Sequence, residues 1–170
     1  MKTDKFVFFY GGEFSQWYPS TFEVDGVTYV TAEQYMMAMK ADYFGDDTAR
    51  AAIMRTNDPS EQKAIGRQVK DFDAEAWNAV SRGYVYKGNM AKFGQDLSLK
   101  RILLATDERE LVEASPYDRI WGVGIGMPGR ADNNLEKLLD KTQWRGTNWL
   151  GETLMKVRKD LREQNNDDQG

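Results

Sequence analysis

The chain carries neither histidine nor cysteine among its 170 residues. That excludes a Ser-His-Asp triad, a thiolate nucleophile, a zinc finger and a disulfide framework. Proton transfers in such a chain must run through Asp, Glu, Lys, Tyr or water, and carboxylates would have to hold any metal. Four places group side chains suited to that chemistry. The segment Ser115-Pro-Tyr-Asp-Arg-Ile-Trp-Gly-Val-Gly124 sets Asp118 and Trp121 beside Gly122 and Gly124. An acid there can take a proton or hold hydroxyls, the indole can stack on a flat ring, and glycine lets backbone approach a ligand. Glu33 and Lys40 lie seven positions apart, two helical turns, and so share a face. Lys92-Phe93 lies in a basic stretch, and Trp144-Arg-Gly-Thr-Asn148 places Arg145 and Asn148 just before a helix whose N–H groups suit an anion.

Plainer duties compete at each place. A glycine-rich loop with one tryptophan also serves as a turn pinned to a core. Glu33 is the first-turn acid that a helix dipole favours, Lys40 fits a solvated surface, and Asn148 fits a helix cap. Trp77, at a helical position, reads most simply as core. No Gly-x-Gly-x-x-Gly follows a strand and no phosphate-loop Gly-Lys-Ser/Thr occurs, which argues against a dinucleotide oxidoreductase or a nucleoside triphosphatase.

The elements that must position these residues follow from periodicity and caps. Phe6 to Tyr10 predicts a buried strand, and Asp25-Gly26 between Phe22-Glu-Val and Val27-Thr-Tyr predicts a type I′ hairpin. Thr31 with Gln34 forms a capping-box pattern ahead of Tyr35, Met36, Met39 and Tyr43. Asp58-Pro59 with Glu61 starts a second helix with Ile65 and Val69 as its apolar face. Asp73 starts a third, bearing Trp77, Val80, Tyr84 and Tyr86, with Gly83 and Gly88 as breaks or kinks. Leu97 to Ala105 predicts a short helix and Glu110 to Glu113 a strand. Residues 115–134 predict a long irregular loop, a kind of segment often tied to function. A last helix is predicted from Asn148 to Arg162, with Leu150, Leu154, Val157 and Leu161 on one face. The expected fold is α+β, a single helix-rich domain with a small β-sheet over residues 1–162, followed by a polar, disordered tail at 163–170.

The net charge of −4 is uneven. Residues 1–50 carry 4 basic and 8 acidic side chains, residues 51–101 carry 9 and 6, and residues 102–170 carry 10 and 13. The middle stretch thus offers a local basic surface for a phosphate-bearing ligand, or simply a solvated helix face. No segment approaches the roughly 20 apolar residues of a membrane helix, and the N-terminus has no signal-peptide run. The expectation is a soluble cytoplasmic protein with no membrane partner.

Several segments read in order resemble one family. They are Phe14-Ser-Gln-Trp-Tyr-Pro19, Thr31-Ala-Glu-Gln-Tyr-Met36, Lys40-Ala41, Phe44-Gly-Asp46, Ala91-Lys-Phe93, Leu111-Val-Glu-Ala-Ser-Pro-Tyr-Asp-Arg-Ile-Trp-Gly122, and Trp144-Arg-Gly-Thr-Asn-Trp-Leu-Gly151 with Leu154-Met155 and Arg158. Their order and spacing resemble the NADAR, or YbiA-like, family over residues 6–162. The resemblance implies an α+β fold and an N-glycosidase that needs no metal and no organic cofactor. It implies one of two substrates: a riboflavin-pathway pyrimidine bearing a ribosylamino phosphate, or ADP-ribose attached to guanine in nucleic acid. The partner is then a small phosphoribosyl molecule or an ADP-ribosylated nucleic acid, the latter in a repair or antitoxin context. A module that binds ADP-ribose or a ribosylated base without catalysis is the alternative. By resemblance the family's acid falls on Glu33, its Asp-x-x-Trp-Gly motif on Asp118, Trp121 and Gly122, and its pocket tryptophan on Trp77. Its lysines fall on Lys40 and Lys92. The sequence departs from many relatives at Gln16, where asparagine is common, and at Gln34, where histidine is common.

On that basis Glu33 orients or deprotonates the water and stabilises the sugar cation, while Asp118 holds ribose hydroxyls or shares the base role. Trp121 stacks on the leaving base and Trp77 walls the pocket. Lys40, Lys92 and Arg145 meet phosphate.

Overall fold

Phe6, Val7, Phe8 and Phe9 form β1 (Phe6–Phe9), buried at every position. A strand covered on both faces is apolar without alternation, and a parallel partner is its usual company. That partner is β4 (Glu110–Glu113), paired in register from Phe6 opposite Glu110 to Phe9 opposite Glu113. The computed structural model describes residues 1–167, and among them the backbone packs as two units. Met1–Ser15 belongs with the described residues from Arg101 onward, and Gln16–Lys100 forms the other unit.

In the first unit, Phe6 and Phe8 pack with Val112, Ala114, Val123, Ile125 and Leu138. The last helix, α7 (Trp149–Asp167), packs on β4. Its Leu150, Leu154, Val157 and Leu161 recur every three or four residues and are almost fully buried. Each contributes roughly 1.5–3 kcal/mol of apolar burial. Gly151 permits the close approach, because a Cβ there would stand 2.0 Å from the Leu111 carbonyl oxygen. The helix runs past the expected end at Arg162, so the predicted disordered tail is helical as far as Asp167; residues 168–170 lie outside the described ones. A short helix α6 (Asn134–Leu139) and a 3-10 turn (Lys141–Gln143) follow the long loop.

In the second unit, β2 (Phe22–Val24) and β3 (Val27–Tyr29) form the predicted hairpin. Asp25 and Gly26 take φ of 51° and 79°, the left-handed pair a type I′ turn requires. Helix α1 (Ala32–Tyr43) is the hub, with α2 (Asp47–Arg55), α3 (Pro59–Gly66) and α4 (Ala74–Gln95) packed around it. Its Ala32, Ala38 and Ala41 are buried almost completely, and such small side chains let neighbouring helices approach.

Two expectations are corrected here. The inner face of α3 is Gln62 and Gly66, while Ile65 is only half-buried and Val69 lies beyond the helix end. Gly66 is there for contact, since a Cβ would meet Met37 Sδ at 2.0 Å. Gly83 and Gly88 do not break α4, which runs 22 residues without interruption. The chain passes from this unit to the other within α5 (Leu97–Leu104).

Candidate active site

Helix α1 presents Glu33 from its first turn, and the local sequence explains how that turn is held. The Thr31 hydroxyl accepts the Gln34 N–H at 2.9 Å and donates to Gln62 Oε1 at 2.6 Å. The Gln34 side chain accepts the Val30 N–H at 2.9 Å and donates to the carbonyls of Ile53 and Thr56. A standard capping box would return to the Thr31 N–H; here the glutamine reaches one residue further and ties the C-terminal end of α2 to the start of α1. Gln34 thus positions the helix with its whole amide. The Glu33 N–H, an orphan of the first turn, donates to the Gln16 carbonyl at 2.9 Å. The Gln16 side chain in turn accepts from Asn89 Nδ2 at 2.9 Å, and Asn89 also donates to Val85 O. Gln16 and Asn89 therefore lock α4 to the segment beside Glu33. The sequence gives no sign of Gln16's long-range partner Asn89.

Glu33 is 6% exposed and Lys40 is 8% exposed, so the solvated-surface reading of this pair does not hold. Burial holds the Lys40 ammonium below the usual lysine range, the Glu33 carboxylate opposes that fall, and Arg67 adds to it. The Lys40 Nζ sits 4.0 Å from the centre of the Phe72 ring. From Phe72 an aromatic chain runs through Phe44, at 5.5 Å, to Trp77, which stacks on Tyr84 at 5.7 Å and 18°. Trp77 is buried and ends this aromatic chain, its ring packed against Phe44 and Tyr84. Lys92 is 1% exposed, with Nζ 5.5 Å from the Tyr18 ring centre and 4.9 Å from that of Phe93. The structure thus brings Glu33, Lys40, Trp77 and Lys92 into one unit, on α1 and α4. Arg67 and Phe72 were missed, because the stretch after α3 has no periodicity to mark it.

Asp118, Trp121, Gly122, Arg145 and Asn148 belong to the other unit. Asp118 Oδ1 accepts the N–H groups of Ile120 and Trp121 at 2.9 and 2.7 Å, so the carboxylate closes its own turn. Trp121 is half-buried and meets Trp149 edge to face at 5.7 Å. Gly122 is a packing glycine, since a Cβ would stand 2.9 Å from the Glu113 carbonyl oxygen. Arg145 is exposed. Asn148 is 2% exposed and left-handed at φ 53°. Its amide accepts the Glu113 N–H at 3.1 Å and donates to Leu111 O at 2.9 Å, mimicking a strand partner along β4. That occupies the polar arm expected to reach an anion.

Comparison with known proteins agrees with this architecture. The model of the NADAR domain matches residues 8–162. N-glycosidase R617 of Acanthamoeba polyphaga mimivirus is 38% identical, covering 94% of this chain and 98% of its own length. N-glycosidase YbiA of Escherichia coli is 34% identical, covering 75% and 77%. The NMR structure of E. coli YbiA superposes with a TM-score of 0.76 at 29% identity, covering 97% of this chain and 89% of that one. The chain belongs to the NADAR domain family. Among the described residues, no helix is long and apolar enough to cross a membrane.

Proposed function

We propose that this protein is an N-glycosidase that hydrolyses a ribose–nitrogen bond in a phosphate-bearing substrate. Relatives named N-glycosidase support the hydrolase class. The observation that carries the reading is the burial of Glu33 and Lys40 on one face of α1, with the Phe72–Phe44–Trp77 aromatic wall alongside. Cleavage of such a bond passes through an oxocarbenium-like state that a nearby carboxylate stabilises. In this mechanism Glu33 takes a proton from water, the water oxygen bonds to the anomeric carbon, and the carbon–nitrogen bond breaks. The electron pair leaves with the base, which gains a proton. Lys40 and Lys92 meet phosphate, and Trp77 walls the sugar. Taken by itself, the Trp121 ring, braced edge to face by Trp149, is proposed as a surface suited to stacking on a flat base. Asp118 acts by shaping that loop through the Ile120 and Trp121 N–H groups.

The substrate is ADP-ribosyl guanine in nucleic acid or a ribosylamino pyrimidine phosphate. Wild type and Glu33→Gln are incubated with each, and products are read by liquid chromatography and mass spectrometry. Free ADP-ribose with restored guanine identifies the first, and ribose 5-phosphate from the pyrimidine identifies the second. Glu33→Gln should slow release by roughly 10²–10⁴-fold while the fold is kept. Saturable binding without release of either product would make the protein a binding module instead.

A further inference from the structure

The last helix carries a buried cation that the hydrolytic site leaves without a task. Arg158 is 5% exposed and reaches the turn between α5 and β4. Its Nη1 donates to Thr106 Oγ1 at 2.7 Å and to Arg109 O at 2.8 Å. The Thr106 hydroxyl in turn donates to Leu103 O at 2.6 Å. These bonds tie α7 to the turn, and they use a single nitrogen of the guanidinium. Among the described residues, Nε and Nη2 make no hydrogen bond, and no carboxylate pairs with Arg158. Neither nitrogen is sealed from solvent. Arg158 lines a cleft of about 390 Å³ together with Lys159, Arg162, Glu108 and Glu163, all in the first unit.

The charges in this cleft do not cancel. Glu108 is paired with Arg162, and Glu163 lies 3.9 Å from Lys159. Three cations against two acids leave one positive charge, and the cation without an acid of its own is the buried one. Burial and the neighbouring Arg162 both disfavour the Arg158 charge, while Glu108 and Asp107 oppose them. A strut between α7 and the turn needs only a donor, and a neutral amide would make the same two bonds without a charge to desolvate. The guanidinium adds the planar Nε–Nη2 edge, two parallel N–H groups spaced for two oxygens of one oxyanion. A carboxylate would be satisfied by that edge alone. Lys159 and Arg162, the more exposed cations of the cleft, offer donors to a further oxygen, which a phosphate has and a carboxylate lacks.

We infer that Arg158, Lys159 and Arg162 form a phosphate-binding site where α7 meets the α5–β4 turn, with free phosphate or the phosphate of a small monoester as its ligand. The site does not rest on the N-glycosidase reading, and its test needs no turnover.

The arginine Nε–H signals of the ¹⁵N-labelled protein are followed by NMR as inorganic phosphate, glycerol phosphate or acetate is added at constant ionic strength. The Arg158 signal is the one lost in Arg158→Lys. Phosphate should shift it saturably, with a Kd of about 1 mM or tighter. Tighter binding of glycerol phosphate marks a monoester site, and equal binding marks a free-phosphate site. Lys159→Gln/Arg162→Gln removes two exposed cations and should raise the Kd about 3–10-fold. Arg158→Lys keeps the charge and loses the fork, so phosphate should shift the Arg109 and Glu110 backbone amides about tenfold more weakly in affinity. Circular dichroism checks that variant's fold, and the exposed double variant carries the test if it fails. Lys40→Gln should leave the Arg158 response unchanged. A response lost with Lys40 would move the phosphate to the Glu33 neighbourhood and overturn the site. So would an Arg158 signal that does not saturate, a Kd indifferent to the double variant, or an equal response to acetate. Each of these results leaves the hydrolase reading in place, and failure to release product leaves the phosphate site in place.

Discussion

Glu33 and Lys40 are coupled, and the coupling has a sign that can be measured. Burial lowers the Lys40 ammonium's affinity for its proton, and the Glu33 carboxylate works against that. Glu33→Gln removes the opposing charge, so Lys40 should titrate lower still. Arg67→Ala removes a neighbouring cation and should let it titrate higher. Nitrogen-resolved NMR of the lysine side chains would follow both, and an unmoved Lys40 in either variant would break the claimed neighbourhood. The stability consequence follows by linkage. Between its lowered folded value and the unfolded value near 10.4, Lys40 holds more proton unfolded than folded, so its contribution makes stability rise with pH across that window. Asp118 allows a different separation. Asp118→Asn keeps an acceptor for the Ile120 and Trp121 N–H groups, while Asp118→Ala removes it. If the carboxylate serves only the turn, the asparagine variant keeps near-normal turnover and the alanine variant loses it. If the charge touches ribose, both lose turnover, and steady-state kinetics on the active substrate distinguishes the cases.

Helix α4 offers a matched pair of glycines with opposite expected outcomes. Gly83 faces open space, with nothing within 4 Å of an added Cβ. Gly83→Ala should stabilise by about 0.5–1 kcal/mol, the ordinary helix preference for alanine. At Gly88 an added Cβ would stand 2.5 Å from Tyr35 Cδ1, and Tyr35 is almost fully buried. Gly88→Ala should cost about 1–3 kcal/mol by overpacking. Urea unfolding of the two variants checks both, and a stabilising Gly88→Ala would refute the packing account. This pair also shows where sequence reasoning stops. Glycine in a helical pattern suggested breaks, but a tertiary contact decides between a weak point and a packing surface. Local signals fared better: the Asp25-Gly26 turn, the Thr31, Asp58 and Asp73 caps and the α7 stripe all formed as their residues dictate. Helix α2 went unseen because its only buried residues are Ala49 and Ile53, too few to set a period. Glu33 and Lys40 could be placed on one face from spacing alone. That the pair is buried, and that Asn148 bonds along β4, depends on partners far away in sequence.

The chain's 27 acids against 23 bases make acidification a test of its polar anchors. Full protonation of the carboxylates would carry the side-chain charge from −4 to +23, and in each unit the fold favours the charged form of a carboxylate, Asp46 in one and Asp140 in the other. In the second unit, Asp46 accepts the Ala49 N–H at 3.0 Å and the Lys70 N–H at 3.0 Å, which hold its carboxyl below the usual range. In the first unit, Asp140 accepts the Thr142 hydroxyl at 2.7 Å and its N–H at 2.9 Å, with the same consequence. For a lowered folded value the sign is fixed. The stability contribution is present above the unfolded value near 3.9 and is lost as pH falls through the folded value. Asp46→Asn should therefore lower protection of the α2 segment at neutral pH, and the gap from wild type should close as pH drops below about 4. Asp140→Asn should do the same for the segment around the 3-10 turn. Hydrogen exchange resolved by peptide across the acid limb reads the two segments separately. A gap that stays constant with pH would show that the lost hydrogen-bond geometry, and not the carboxylate charge, anchors the segment.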